Sequence, residues 1–416
     1  MVMSEHFDVV VVGGGAGGIA AAIGAANAGA NVCLIEQYPY LGGAATNSSV
    51  LAFCGFYDQQ QQQVVDGVGG DILRRLKARG VYEEKVMGWT GNRIVLLDLE
   101  STKVVCDEAV SEVGVHVRLH TRLISASCSA GRVTSVEVNH RGGNKLITAD
   151  AFIDASGDGA LTAYSGAGIH DVPVERRQTN TLTCRFGGVA ADADLSKEKM
   201  RQAVTAYAQE TGTKLVRDGG IAVRLPITGE IMALLVDEHF DTLNAEEISK
   251  AEASGRAQAW KYLEAFQKHM PGWQGAYLVE TGPQIGIRES RRLQGRMTIT
   301  AQDVLHARKQ PDQSIGRCGW PIEDHAGPGV TNYTKIDNGH WYDIPYGAIC
   351  SATTDNLWGV GRLTSSDDEA FASVRVMGTA FATGHAAGIA AAQYSQGTTH
   401  DILAIRNELT HQGAMV

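Results

Sequence analysis

One stretch near the start constrains this chain more than any other. Phe7 to Val12 reads F-D-V-V-V-V and runs directly into Gly13-Gly14-Gly15-Ala16-Gly17-Gly18. The first six residues are a β-branched run short enough to be a strand buried on both faces. The glycines then fit G-x-G-x-x-G, with Gly13, Gly15 and Gly18 in the three required places. Ile19 to Ala28 reads as a helix of small residues stopped by Gly29, and Asn31 to Ile35 as a second strand ending on Glu36. Gly13 permits the tight turn, Gly15 admits a pyrophosphate to the backbone, and Gly18 lets helix and strand pack closely. The helix N-terminus offers N–H groups and positive dipole to that anion. Glu36 is placed to accept hydrogen bonds from an adenosine ribose, and its charge disfavours a 2′-phosphate. The order strand, glycine turn, helix, strand, acid marks a dinucleotide site.

The rest of the chain chooses the dinucleotide. A second glycine pair follows in Gly42-Gly43-Ala44-Ala45-Thr46, suited to backbone passing close to phosphates or a ribityl chain. Gly114 to Leu119, Leu123 to Cys128, Val133 to Asn139 and Lys145 to Ala149 read as an antiparallel meander with glycine turns. Ala151 to Gly159 is a strand entering another glycine turn, and Asn356 to Gly361 repeats that pattern near the far end. After a loop from Arg362 to Glu369, Ala370 to Gln393 reads as one long helix of small residues whose N-terminus faces the cofactor. A ligand touched by all these separated stretches is extended, which favours FAD over NAD. The chain has 49 glycines in 416 residues, where average usage gives about 29, and these turns account for about half of the surplus.

With those segments in view, the chain resembles the glutathione-reductase-like superfamily of FAD proteins. More narrowly, it resembles the FAD-dependent oxidoreductase family distantly related to fumarate-reductase-type flavoproteins. The resemblance rests on VVVVGGGAGGIAAAIGAANAGANVCLIE, the pair at Gly42, FIDASGDGAL, QIGIRESRR, YDIPYGAI and WGVGRLTSSDDEAFASVRVMGTAFATGHAAGIAAA, in that order. It implies pyrophosphate contacts at Gly13, Gly15, Ala16 and Gly18 and a ribose contact at Glu36. It also implies flavin or ribityl approach at Gly42, Gly43 and Ala44, adenine at the Leu123 backbone, and contacts at Asp158 and the Gly361-Arg362 turn. Two positions depart from the relatives: Asp368-Glu369 stands where they commonly carry His-Glu, and Gly378 where they often carry proline. The fold expected is α/β, a Rossmann-like FAD-binding domain with an antiparallel β-meander and an inserted α+β substrate or cap domain. The FAD domain is discontinuous, at 1–58, 96–165 and 337–416, with an excursion at 59–95 and the cap at 166–336.

Within the cap, Asn244 and Glu247 form an N-cap pair for a helix stopped by Pro271-Gly272, and Asp194 to Gln209 reads as a second helix. Thr179 to Phe186 and Ile231 to Asp237 read as strands. In the excursion, the glutamine run Gln59 to Gln63 reads as a polar exposed loop and Asp71 to Gly80 as a short amphipathic surface helix. Flavin chemistry needs hydride delivered to the cofactor and usually a base for the proton. Arg288, Arg291 and Arg292 in R-E-S-R-R, and with them Arg375, are candidate clamps for a substrate carboxylate, with an internal network in which Glu289 pairs one of them as the competing role. The candidate bases are His340 and Tyr342, just before the returning segment, together with His325 and His385, and Tyr333 and Tyr346 stand behind them; packing is the competing role for each histidine.

Composition removes other classes. The net charge is −10, with no long basic block, which argues against a nucleic-acid partner. Seven cysteines without a C-x-x-C pair argue against a metal centre, a disulfide framework or a disulfide reductase, and leave Cys54 near the flavin-side glycines without a partner. Neither a membrane span nor a signal peptide is evident, so the expected place is the cytoplasm. The function expected is hydride transfer from a small organic substrate, carboxylate-bearing ones included, to FAD, with reoxidation by oxygen, a quinone or a partner. A monooxygenase consuming NAD(P)H, and a flavin-binding electron-relay or scaffold subunit, stay open as alternatives. So do a homo-oligomer and a partner subunit.

Overall fold

The structure is a computed structural model and describes residues 5–416 other than Trp89. Strand β1 (Glu5–Val12) leads through the glycine turn into helix α1 (Ala16–Asn27) and strand β2 (Val32–Ile35). β1 lies at the centre of a seven-stranded sheet, parallel to β2 on one side and to Gly143–Asp154 on the other. Its alternation explains why the run is apolar on both faces. Val9 and Val11 pack with the core that holds α1 and the Met377–Ser395 helix, while Phe7, Val10 and Val12 pack with the meander strands.

The meander differs from the sequence expectation in two places. His116–Arg118 is not part of it; this segment pairs parallel with β2 and extends the cofactor sheet. The segments expected as separate strands at 145–149 and 151–154 form one twelve-residue strand, Gly143–Asp154. Its first half pairs antiparallel with Arg132–His140 and its second half parallel with Leu357–Gly359. One continuous strand therefore ties the meander to both ends of the chain.

The long helix expected over 370–393 is broken in two. Asp367 caps Asp368–Val374, and a second helix runs Met377–Ser395 after extended Val376. The second helix crosses α1 at backbone contact: a Cβ on Gly384 would lie 2.0 Å from the Gly17 carbonyl oxygen. The glutamine run is exposed at its middle, but Gln59 donates to the Thr90 carbonyl at 2.8 Å and accepts from the Ile336 N–H at 3.0 Å, which anchors the loop. The amphipathic segment forms Val68–Ala78, with Ile72, Leu73 and Leu76 buried in the main core, so it is a packed element.

The middle of the chain builds a four-stranded antiparallel sheet in the order Ile221–Arg224, Ile231–Glu238, Asn180–Gly187, Tyr277–Thr281. Helices Lys197–Thr211 and Ala245–His269 cover one face, the latter capped by the Asn244 side chain as its sequence indicates. Leu182, Cys184 and Phe186 point into that covered face. The intervening Thr181 and Thr183 look the other way, into a cleft shared with the cofactor sheet. Among the described residues no helix is long and apolar enough to cross a membrane.

The crossing at Gly384 sets two effects against each other. Replacing a helical glycine by alanine gains about 1 kcal/mol of propensity, whereas overpacking costs typically 1–3 kcal/mol, here against backbone that cannot yield. Gly384→Ala is expected to lower the urea midpoint despite the better helix former. An unchanged or raised midpoint would show that the two helices separate freely.

Candidate functional site

The C-terminal ends of β1, β2 and Gly143–Asp154 meet the Gly361 turn along a single cleft of about 770 Å³. At one end it is lined by backbone of Gly13, Gly15, Ala16, Gly43, Ala44 and Gly361 and by Glu36, Leu123, Asp158 and Arg362. Gly15 and Gly43 face each other closely: a Cβ on Gly43 would lie 2.7 Å from the Gly15 Cα, and its φ is +58°. Two residues expected to touch the ligand do not line the cleft. Gly18 packs α1 onto the turn, since a Cβ there would fall 1.7 Å from the Gly13 oxygen. Gly42 donates its N–H to the Gly14 carbonyl at 2.9 Å and supports the turn from behind.

Glu36 is buried and accepts from the Gly14 N–H at 2.6 Å and the Tyr38 N–H at 3.0 Å. Burial pushes its carboxyl up, and the backbone hydrogen bonds oppose that shift. Asp154, which sequence reasoning passed over, fixes the next turn: its carboxylate accepts from Ser156 Oγ at 2.6 Å and from the Thr162 N–H at 2.7 Å. Beyond it Asp158 accepts from Arg362 Nη2 at 3.2 Å and from Ser290 Oγ at 3.0 Å, and Arg291 Nε donates to the Asp158 carbonyl at 2.8 Å. Arg291 and Arg362 thus bridge the two sheets at the cleft wall.

The other end of the cleft is lined by Arg288, Arg375, Glu323, His325, Thr181, Thr183 and Asn47. Arg288 donates through Nη1 to the Thr179 carbonyl and to Thr181 Oγ1 at 2.7 Å. Burial and the neighbouring Arg375 charge push its guanidinium down to about 10. Arg375 donates to Gln178 Oε1 at 3.2 Å and to the Glu323 carbonyl at 3.1 Å. The Glu323 carboxylate receives Trp320 Nε1–H and the Tyr333 hydroxyl, each at 2.9 Å, and lies 3.4 Å from His325 Nε2. Burial alone raises this carboxyl, but the facing His325, the Arg375 charge and the Tyr333 hydroxyl together outweigh it and hold it far below the usual range. His325 is pushed down to about 3, chiefly by burial and then by Arg288. It is neutral near pH 7, with Nδ1 at 3.1 Å from Thr331 Oγ1. Glu323 escaped the sequence reading, although Glu323 and His325 share one face of the Ile322–Gly327 strand.

Two candidate bases fall outside the cleft. His340 is half-exposed beside the buried Asp58, 3.7 Å away, under the glutamine loop. Tyr342 is fully buried on the strand Tyr342–Pro345; its hydroxyl lies 3.0 Å from Ser373 Oγ and burial pushes it well up. Neither side chain lines the cleft. His385 is buried against Gln412, and Tyr346 is bonded to His400 and Trp358. Arg292 is sealed in a network with Glu289 and Asp368. Asp368, in place of the relatives' histidine, is spent there and not at the cleft. The Cys54 thiol lines the chamber, and burial pushes it far up, leaving it protonated.

The buried His325 gives a pH dependence with a definite sign. Its ordinary value is 6.5 and its folded value about 3, so between these the unfolded chain binds a proton that the folded chain does not. Stability should therefore fall as pH drops below 6.5, by on the order of 2 kcal/mol near pH 5. Glu323, held ionised, adds to the loss at lower pH. Denaturation of the His325→Gln variant across pH 5 to 7 should show a flatter slope; an identical slope would place the titration elsewhere.

A family model described as FAD dependent oxidoreductase matches residues 8–409. A soluble pyridine nucleotide transhydrogenase of Vibrio atlanticus (strain LGP32) is 50% identical over 44 residues, 11% of this chain. The match covers only 9% of that protein's length. The fold resembles a geranylgeranyl bacteriochlorophyll reductase-like protein of Thermoplasma acidophilum, at TM-score 0.50 and 14% identity over 99% of this chain and 85% of that one. It resembles a triple mutant of the flavin-dependent brominase Bmp2 equally well, at TM-score 0.50 and 14% identity over 98% and 86%. Both likenesses concern the fold. The family model covers nearly the whole chain, and this protein belongs to the FAD-dependent oxidoreductases.

Proposed function

We propose that the protein takes hydride from a small organic substrate held between the cofactor sheet and the Asn180–Gly187 sheet. The observation that carries this reading is the continuity of the cleft. One end is built from dinucleotide-type glycine turns, and the other is a polar chamber in which some groups lack a protein partner. Asn47 Nδ2 and Thr183 Oγ1 are buried there without a hydrogen bond, an arrangement that costs free energy until a ligand fills it.

These residues fit FAD. Gly13, Gly15 and Ala16, at the start of α1, would hold the pyrophosphate through backbone N–H groups, and Glu36 would accept from the ribose hydroxyls. The Leu123 backbone would hold the adenine, and Gly43, Ala44, Asp158, Gly361 and Arg362, which line the same cleft, would hold the part toward the flavin. Bound there, FAD supplies two-electron chemistry by accepting hydride from a substrate carbon. The chain's own groups bind and orient. The 166–336 segment provides the substrate side, with Arg288 and Arg375 in the wall. Neutral His325 has both ring nitrogens engaged, so it orients Glu323 rather than reaching for a substrate proton.

The test is to purify the protein with its flavin and add hydroxy acids, amines and alcohols without oxygen. Bleaching of the visible flavin band by one of them supports the reading. Indifference to all of them, with rapid substrate-stimulated NAD(P)H oxidation and oxygen incorporation, replaces it with monooxygenation. Gly43→Ala is expected to lose most of its flavin while keeping its far-UV circular dichroism, because the new Cβ enters the Gly15 backbone. Full flavin content in that variant would move the cofactor path away from the Gly15–Gly43 neck.

A further inference from the structure

We propose that Arg288 and Arg375, offset by Glu323, form a seat for a single carboxylate, so that the site takes monocarboxylates and rejects dicarboxylates and neutral analogues. This deepens the reading above and rests on it. The first ground is the free edge of each guanidinium. Arg288 uses Nη1 on Thr179 and Thr181, and Arg375 uses Nε and Nη2 on Gln178 and Glu323. Arg288 Nε and Nη2 and Arg375 Nη1 have no protein partner among the described residues, and both side chains line the chamber. A carboxylate accepts from such edges in the fork geometry that arginine presents.

The second ground is charge. The Arg375 charge stands close enough to disfavour that of Arg288, and Glu323 is the chamber-wall carboxylate that favours both cations; Glu252, which also lines the cleft, is paired with Arg256 at 3.1 Å. His325 is neutral. The nearby carboxylates are already matched: Asp237 pairs with Arg217 at 2.7 Å, and Glu289 with Arg292. Asp324, also within reach of Arg375, does not line the chamber. Along the chamber wall two half-buried guanidinium groups therefore face one carboxylate, an excess of one positive charge that one monoanion cancels. A second carboxylate has no cation left and meets Glu323. Glu323 thus sets specificity by repulsion, while Trp320, Tyr333 and His325 hold it charged and in place.

The third ground is that the seat is fixed from behind. Thr181 Oγ1 accepts from Arg288 and donates to Asp237 Oδ1 at 2.7 Å, which ties Arg288 to the Arg217 pair. Gln178, which positions Arg375, donates its own N–H to Glu289 Oε2 at 2.9 Å. Neither arginine has to be ordered at the moment of binding, which lowers the cost of association.

The experiment titrates the flavin-loaded protein near pH 7 and reads perturbation of the visible flavin band. The probes are benzoate, phthalate and benzamide, and in parallel propionate, succinate and propionamide. The monocarboxylates should bind at least tenfold more tightly than their dicarboxylate and amide counterparts. Glu323→Gln, which keeps the carbonyl that holds Arg375, should raise dicarboxylate affinity at least tenfold and narrow or reverse the preference. Arg375→Gln should abolish the response to every acid while retaining the flavin spectrum. Equal binding of amide and acid overturns the proposal. So does equal binding of mono- and dicarboxylate by the unaltered protein, or an unchanged ratio in Glu323→Gln. If the acids are inert while an uncharged substrate bleaches the flavin, the carboxylate seat fails and the hydride-transfer reading stands. If the protein holds no flavin, that reading itself fails.

Discussion

Everything at the cofactor end depends on two helices touching through their backbones. α1 comes from the start of the chain and Met377–Ser395 from near its end, and they cross with Gly384 against the Gly17 carbonyl and Gly388 against that of Ala21. Side chains of any size would hold these helices apart. Because they meet, the turn that begins α1 and the turn at Gly361 are drawn to the same side of the sheet, and the N-terminus of each helix opens on one cleft. The strand Gly143–Asp154 completes the arrangement by pairing with β1 and with Leu357–Gly359 at once. Three distant stretches of sequence are thereby forced into register before any ligand is considered.

That constraint also shows why the first motif and the fold class were readable. Gly13 to Gly18 and Glu36 do their work through local backbone, and local backbone is written in consecutive residues. The same holds for the Asn244 cap and the Ala245–His269 helix. The errors fell where pairing is non-local. Nothing within His116–Arg118 says that it joins β2 rather than the neighbouring hairpin, because the choice is made by strands far away in sequence. The break at Arg375 and Val376 was hidden because alanine-, glycine- and serine-rich sequence suits one helix or two. Here the close passage of Gly55 against Gly378 decides it.

The candidate site was less legible than the fold for a related reason. Proximity in sequence to the returning segment put His340 and Tyr342 forward, yet Tyr342 is completely buried against Ser373 and His340 stands beside Asp58. The chamber is assembled instead from one face of a strand at 180–187, one face of another at 322–327, and the end of the Asp368–Val374 helix. A period-two reading of Glu323 and His325 places them on a common face, but what that face looks at is settled only by the packing of the two sheets.

The arginines of R-E-S-R-R make the distinction between structural and functional charge concrete. Arg292 is fully buried, but Glu289 and Asp368 neutralise it and the Phe371 ring covers it at 4.8 Å, so the molecule itself meets its cost. Arg291, one residue earlier, turns to the opposite side of its strand and joins the cofactor wall through Asp158. Arg288 is left with part of its guanidinium unsatisfied beside a second arginine in the same condition. A sequence-level argument gives these three side chains the same standing, since all are arginines within five positions. Packing separates them: a buried cation with matched anions holds the fold, whereas a pair of half-buried cations with open edges on a cleft is set to take an anion from outside the chain.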